Sequence, residues 1–369
     1  MKNIKKKIQN LFKIFFYKIF SLIHGKIEGK ILADEDQRIK IKRVIKERTL
    51  NYKVFFVENG RLYTDRVHDT AIILNNSIVE GPSHQLRPIN NVSSEENIVF
   101  KKGTPRKKKS LNGTVLSLLT GGAGNDNYSH WLFDVLPRIG LCEEVFDISK
   151  VDFFLLPNFK KKFQKETLLM LNIDEKKCLS SEEYRHIKTE KVIITDHPYC
   201  TTNNATSDIT NIPKWISDWL KKKYLVDGSK NKKYSSKIYI DRSDSESNTK
   251  HLRKILNEED VVNLLKSRGF EKVILGKLNF KDQVELFNQA KVIVGLHGAG
   301  LANISFCKIN TKIIEFKNDI DVLQYENLAK KNNLDYKSII SKPIKFNYQN
   351  QHGHIEVPLN KLKEILDEK

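Results

Sequence analysis

Two stretches of this 369-residue chain set chemistry-bearing side chains beside glycines or capping residues. The first is Gly295-Leu296-His297-Gly298-Ala299-Gly300-Leu301-Ala302-Asn303, entered from Val292-Ile293-Val294. A β-branched run, a glycine-rich corner and then small apolar residues expose backbone N–H groups to an anion, so we read a phosphate cradle. His297 inside it could donate a hydrogen bond or a charge to a diphosphate without a metal. The glycines follow G-x-x-G-x-G, not the dinucleotide fingerprint, and no Walker lysine and hydroxyl follow. On these residues alone, a glycine turn with a structural histidine is the competing reading.

The second stretch, Asn127 to Arg138, follows the glycine loop Gly121-Gly122-Ala123-Gly124. Asn127 or Ser129 can cap a helix that begins near His130. His130 and Asp134 are four apart and share a face if the helix is regular; Arg138 extends that line unless Pro137 bends it. An imidazole beside a carboxylate is a proton acceptor with an orienting partner. Metals find little support. Asp319-Ile320-Asp321 is a formal D-x-D at the opening of a helical pattern and is read as a cap region. His352-Gly353-His354 lacks further ligands nearby.

Positioning these residues falls to an α/β chain long enough for two domains. Strands near 237–241, 272–276, 291–295, 312–316 and 336–340 alternate with helices starting near Asn257, Phe280, Ala299 and Asp321. That pattern predicts a parallel doubly wound sheet, with Asp241-Arg242, the 295–303 loop and Glu315 at the carboxyl ends of strands. Earlier in the chain, residues 43–100 look antiparallel, with tight hairpins at Asn59-Gly60 and Asn75-Asn76. Strands at 114–119, 151–156 and 192–195 and helices at 162–172 and from Pro213 follow, and Asp227–Ser236 reads as a linker. The domains are then 1–30, a basic amphipathic helix; 31–228, an α/β domain with a β-rich start; 236–345, the nucleotide-binding half; and 346–369, a tail and helix.

The formal charge of +19 calls for an acidic partner: nucleic acid, anionic lipid or a phosphate-bearing substrate. No aromatic-interleaved basic module supports nucleic acid. Residues 2–30 hold eight lysines, with Ile8, Leu11, Phe12, Phe15, Ile19, Leu22 and Ile23 at helical spacing. This is read as an in-plane anchor on an anionic inner leaflet, with docking on the protein's own core as the alternative. Lys101–Lys109 adds six cations. Four scattered cysteines fit reduced thiols in a cytoplasmic protein, and no run is long and apolar enough to span a membrane.

Taken together, Asn127-Tyr128-Ser129-His130-Trp131-Leu132 with Leu136-Pro137-Arg138, then Val294-Gly295 and His297-Gly298-Ala299-Gly300-Leu301, resemble glycosyltransferase family 61. Tyr239-Ile240-Asp241-Arg242, Arg253 with Asn257-Glu258, and Phe280 with Gln283 fit the same pattern, although Asp241 stands where serine is more usual. The resemblance covers roughly residues 114–340. It implies a GT-B-like enzyme, two Rossmann-like domains facing a cleft, that performs inverting, metal-independent transfer without a cofactor. The donor would be a nucleotide sugar, UDP-linked, and the acceptor a hydroxyl of a capsular polysaccharide or lipid-linked glycan. A catalytically silent glycan-binding relative in an assembly complex is the alternative.

In that setting Arg242, His297 and the amides of Gly298, Ala299 and Gly300 stabilise the departing diphosphate. Glu315 accepts the ribose hydroxyls, with Gln283 and Asn303 lining the crevice. His130 is the base, with Asp134 orienting it or itself accepting the proton, and Asn127, Tyr128 and Arg138 belong to the acceptor-side loop.

Overall fold

The computed structural model describes residues 2–64, 70–83, 93–119, 126–202, 204–225, 233–244, 253–319, 323–344 and 353–368. The glycine loop 121–124, residues 227–232 of the expected linker, residues 320–321 of the D-x-D, and His352 lie outside them. The chain forms two compact units, Met1–Ile209 and Thr210–Lys369.

The first unit opens with α1 (Lys2–His24), then β1 (Gly29–Ile31), β2 (Ile39–Lys46), β3 (Leu50–Glu58), β4 (Arg61–Thr64), β5 (Thr70–Leu74), β6 (Ser77–Val79) and α2 (Ile98–Lys102). After β7 (Lys109–Ser117) come α3 (Tyr128–His130), a π-helical turn at Trp131–Val135, α4 (Pro137–Cys142), β8 (Phe153–Leu156), α5 (Lys162–Met170), β9 (Cys178–Ser180), β10 (His186–Thr195) and α6 (Ala205–Asp208). Strands β9, β8, β7 and β10 are parallel neighbours in that order. The chain therefore steps from β7 to one side and returns with β10 on the other, which puts a topological switch point between β7 and β10.

Antiparallel strands extend this core into a mixed ten-stranded sheet. The expected hairpin at Asn59-Gly60 is a different structure. Strands β3 and β4 do not pair with each other; both run antiparallel along β10, against residues 191–195 and 186–188. Asn59, at φ 54°, and Gly60 form an offset in one long strand, bonding Glu190 O and Thr189 N of β10. Asn75-Asn76 does close the hairpin between β5 and β6, with Asn75 at φ 54°.

The second unit contains α7 (Lys214–Tyr224), β11 (Lys237–Asp241), α8 (Glu258–Ser267), β12 (Glu271–Ile274), α9 (Phe280–Gln289), β13 (Val292–Leu296), a 3₁₀ segment Ala299–Phe306, β14 (Lys312–Asn318), α10 (Gln324–Lys331), β15 (Asp335–Ser341) and α11 (Leu359–Asp367). The sheet order is β12-β11-β13-β14-β15, all parallel, as the sequence predicts. Ile238 to Ile240, Ile293-Val294 and Ile313-Ile314 are buried, consistent with strands covered on both faces. The switch point lies between β11 and β13. Helix α7 belongs here rather than to the first unit, its Ser217 meeting Ser305 and Asn332. The terminal segment is not a separate tail, because Val357, Leu362 and Ile365 complete this unit's core.

Candidate active site

Each switch point holds a polar cluster. In the second unit, Arg242 follows β11 and His297 follows β13, so strand order alone brings them together. Arg242 Nη1 and Arg253 Nη1 donate to the same carbonyl, that of His297, at 2.7 and 2.9 Å. Two guanidiniums on one neutral oxygen concentrate positive charge at this point. Gly298 allows this close approach. A Cβ there would lie 3.0 Å from Arg242 Cζ, while Gly298 itself is extended at φ 163°, so space rather than conformation requires the glycine. The following 3₁₀ segment has no side-chain cap, leaving the N–H groups of Ala299 and Gly300 to open it.

His297 is fixed from behind. Its Nδ1 lies 2.5 Å from Glu315 Oε1, and the Tyr336 hydroxyl donates to Glu315 Oε2 at 2.5 Å. This places the Nδ1 proton toward Glu315 and leaves Nε2 as the ring atom for a ligand. Burial, and then the Glu315 carboxylate, push the Tyr336 phenol far above its ordinary range. Glu315, expected at ribose hydroxyls, is fully buried with both oxygens engaged by His297 and Tyr336. Gln283 and Asn303, expected to line the crevice, are buried and bonded to each other. Asn303 Nδ2 donates to Gln283 Oε1 at 3.1 Å, and Gln283 Nε2 donates to Leu275 O, tying α9 to the 3₁₀ segment. Asp241 is held by Lys272 at 2.6 Å, so the departure from serine is absorbed in an ion pair.

In the first unit, Asn127 caps as predicted, accepting from Ser129 N and His130 N. The helix then widens: Leu136 N returns to Trp131 O, because Pro137 has no N–H to continue an α-helical ladder. Trp131 points away from the cluster and donates to Thr167 Oγ1 at 2.9 Å. His130 Nδ1 still lies 3.4 Å from Asp134 Oδ2, with the imidazole 35% exposed and the carboxylate 5%. Arg138, expected on the acceptor-side loop, lies behind Asp134. It is fully buried, its Nε donating to Asp134 O at 2.9 Å and its Nη2 3.6 Å from Asp134 Oδ1. Tyr128 is half-buried, edge-on to Phe163.

The residue that sequence reasoning missed is His197. Its Nε2 sits 2.5 Å from Asp134 Oδ1, and its Nδ1 accepts from the amides of Tyr199 and Cys200 at 3.3 and 3.1 Å. Those amides leave the ring proton on Nε2, facing Asp134. Burial alone would raise the Asp134 carboxyl, but His197, then His130 and Arg138, hold it well below the usual carboxylate range. The same burial and the nearby Asp134 raise Tyr199. The signal for His197 is its place two residues beyond β10, the strand neighbouring β7. Among the described residues no group of three or more His, Cys, Asp or Glu is arranged to hold a metal, and the four cysteines are unpaired.

Fold and clusters define an α/β protein whose second sheet is parallel and doubly wound and carries a polar cluster at its switch point. A family model described as Glycosyltransferase 61 matches residues 128–314, just over half of the chain. The chain belongs to glycosyltransferase family 61. It is also similar to the "EGF domain-specific O-linked N-acetylglucosamine transferase" of Mus musculus, 33% identical over 89 residues, which is 23% of this chain and 17% of that protein. The Pan troglodytes protein of that name is 34% identical over the same coverage, and the Rattus norvegicus one 32% over 107 residues, 28% and 20% of the two chains. The matches thus span a fifth or less of these relatives' own length.

Proposed function

We propose that the chain transfers a sugar from a nucleotide-sugar donor to an acceptor hydroxyl by a single inverting displacement, as an enzyme of the GT-B class. The observation that carries this reading is the convergence of Arg242 and Arg253 on the His297 carbonyl at the switch point of a parallel sheet. In a family 61 protein, a diphosphate is the anion that such a site serves. Arg242, Arg253, His297 Nε2 and the Ala299 and Gly300 amides bind it and take up charge as it leaves. Glu315 is a positioning residue for His297.

The acceptor oxygen bonds to the anomeric carbon, the bond from that carbon to the diphosphate breaks, and its electron pair goes to the diphosphate. The acceptor proton passes to His130, which Asp134 orients while His197 and Arg138 fix Asp134. Uridine is the nucleoside of the donor, and N-acetylglucosamine, named in the relatives, is the first sugar to test. The acceptor is a glycan hydroxyl of the surface-polysaccharide kind, and the step needs no metal.

The test is release of nucleoside diphosphate from a panel of nucleotide sugars, with and without glycan acceptors and with excess chelator. Turnover of one donor, unchanged by chelator, is expected. Saturable binding of every donor with neither transfer nor hydrolysis would replace this reading with that of a silent glycan-binding relative.

A further inference from the structure

The last turn of α1 ends in a layer of aromatic and basic side chains. Phe20 stacks on the His24 imidazole at 5.5 Å, His24 meets His186 edge-on at 5.2 Å, and His186 meets Tyr63 edge-on at 5.4 Å. Strand register explains what surrounds the pair. β10 sets His186 opposite Tyr63 and Lys188 opposite Arg61 of β4, so these four side chains share one face of the sheet. On its other side β10 pairs Ile187 with Lys109, so Lys108, one residue before β7, falls level with His186.

This layer suits neutral imidazoles. His186 Nδ1 donates to Arg106 O at 3.1 Å, while its Nε2 and both ring nitrogens of His24 are buried without a hydrogen-bond partner among the described residues. A second proton on either ring would therefore bury an N–H that has no acceptor. The charged groups that act on the two rings are cations: Arg61 from β4, 6% exposed, and Lys108, which has Lys188 of β10 close by. The β5–β6 turn contributes the neutral Asn75, which accepts from Arg61 Nη2 at 2.8 Å, and Asn76, against Gly25. Beyond the helix, Lys26 and Glu28 pair with each other in solvent at 4.0 Å. Burial, then Lys108 and Arg61, hold the His24 imidazole below its ordinary value. Burial, partly offset by the bond to Arg106 O, and then Arg61, His24 and Lys108 push His186 down to about 3.

We infer that His24 and His186 form a proton-sensitive latch, which holds the C-terminal end of α1 on the sheet at neutral pH and releases it on acidification. Neutral, the two rings pack as aromatic surfaces between Phe20 and Tyr63. Charged, either ring faces Arg61 and Lys108 with no carboxylate to offset them in this layer. A ring that takes a proton less readily when docked favours docking fully above its free value of 6.5 and progressively less as pH falls below it. At pH 5.5, one unit below, each such ring weakens docking by up to about tenfold. The latch stands on these contacts alone, independently of the transferase reading.

Hydrogen exchange of the full chain, read as protection factors at pH 7.5 and 5.5, tests it. Protection of residues 18–24 should fall about tenfold or more between the two, while β7 and β8 of the first unit and β11, β13 and β14 of the second keep theirs. Unchanged strands separate release of the helix from general acid unfolding, and show that each variant folds. His24→Phe keeps an aromatic ring that cannot charge, so its helix should lose several-fold less protection than wild type. His24→Arg, charged at both pH values, should lack protection there already at pH 7.5. Equal protection of wild type at both pH values, a fall that His24→Phe leaves unchanged, or full protection in His24→Arg would overturn the proposal.

Discussion

Asp134 sits between two imidazoles that differ in what they can reach: His197 is buried and its Nδ1 is committed to two amides, whereas His130 is partly exposed. That asymmetry divides the work. Replacing His130 with alanine should lower kcat by roughly 100-fold or more, the usual worth of a positioned base, with little change in donor affinity. His197→Ala, acting through Asp134, should lower kcat less and shift the pH profile of turnover, which a purely structural loss would not do. The pH dependence of stability follows from Asp134 itself. Its folded carboxyl lies below the ordinary value of about 3.9, so the fold favours the charged form. Its contribution is complete above about pH 5 and is lost as pH falls through 4 and below. Thermal melts should therefore show wild type losing its advantage over Asp134→Asn as pH falls from 7 to 3; a constant gap would contradict this. At this scale the pairings of His130 with Asp134 and of Arg242 with the His297 loop were legible in the sequence, from a spacing of four and from two strand ends. His197 was not, because its partner is 63 positions away and only the adjacency of β7 and β10 joins them.

Elements were legible wherever one local signal decided them. The apolar runs of β11, β13 and β14 are short and bounded by polar residues, and the parallel order of the second unit follows from their alternation with helices. The Asn59-Gly60 offset misled for a physical reason: the same residue pair suits a hairpin or a strand irregularity, and only β10, some 130 residues later, selects between them. The π-helical turn has a comparable origin, since Pro137 signals a break without saying which hydrogen-bond register precedes it. Glycine placement at the second switch point gives a sharp test. Gly298→Ala places a Cβ against the Arg242 guanidinium, which must shift. Donor KM should rise about tenfold, equivalent to about 1.4 kcal/mol, with kcat changed less. An unchanged KM would remove Arg242 from the donor site.

On the scale of the whole molecule, both units follow one rule: polar side chains cluster where parallel strands diverge, between β7 and β10 in one and between β11 and β13 in the other. The formal charge of +19 suits a chain whose proposed ligand, a diphosphate, is negative. Its effect on the donor should appear as an affinity that falls with ionic strength. The most direct test of the central claim is calorimetric titration of uridine diphosphate into wild type, Arg242→Ala and His130→Ala. Wild type and His130→Ala should bind alike, and Arg242→Ala at least tenfold more weakly. Binding that survives in Arg242→Ala and is lost in His130→Ala would contradict the assignment of the diphosphate to the second unit and the proton to the first.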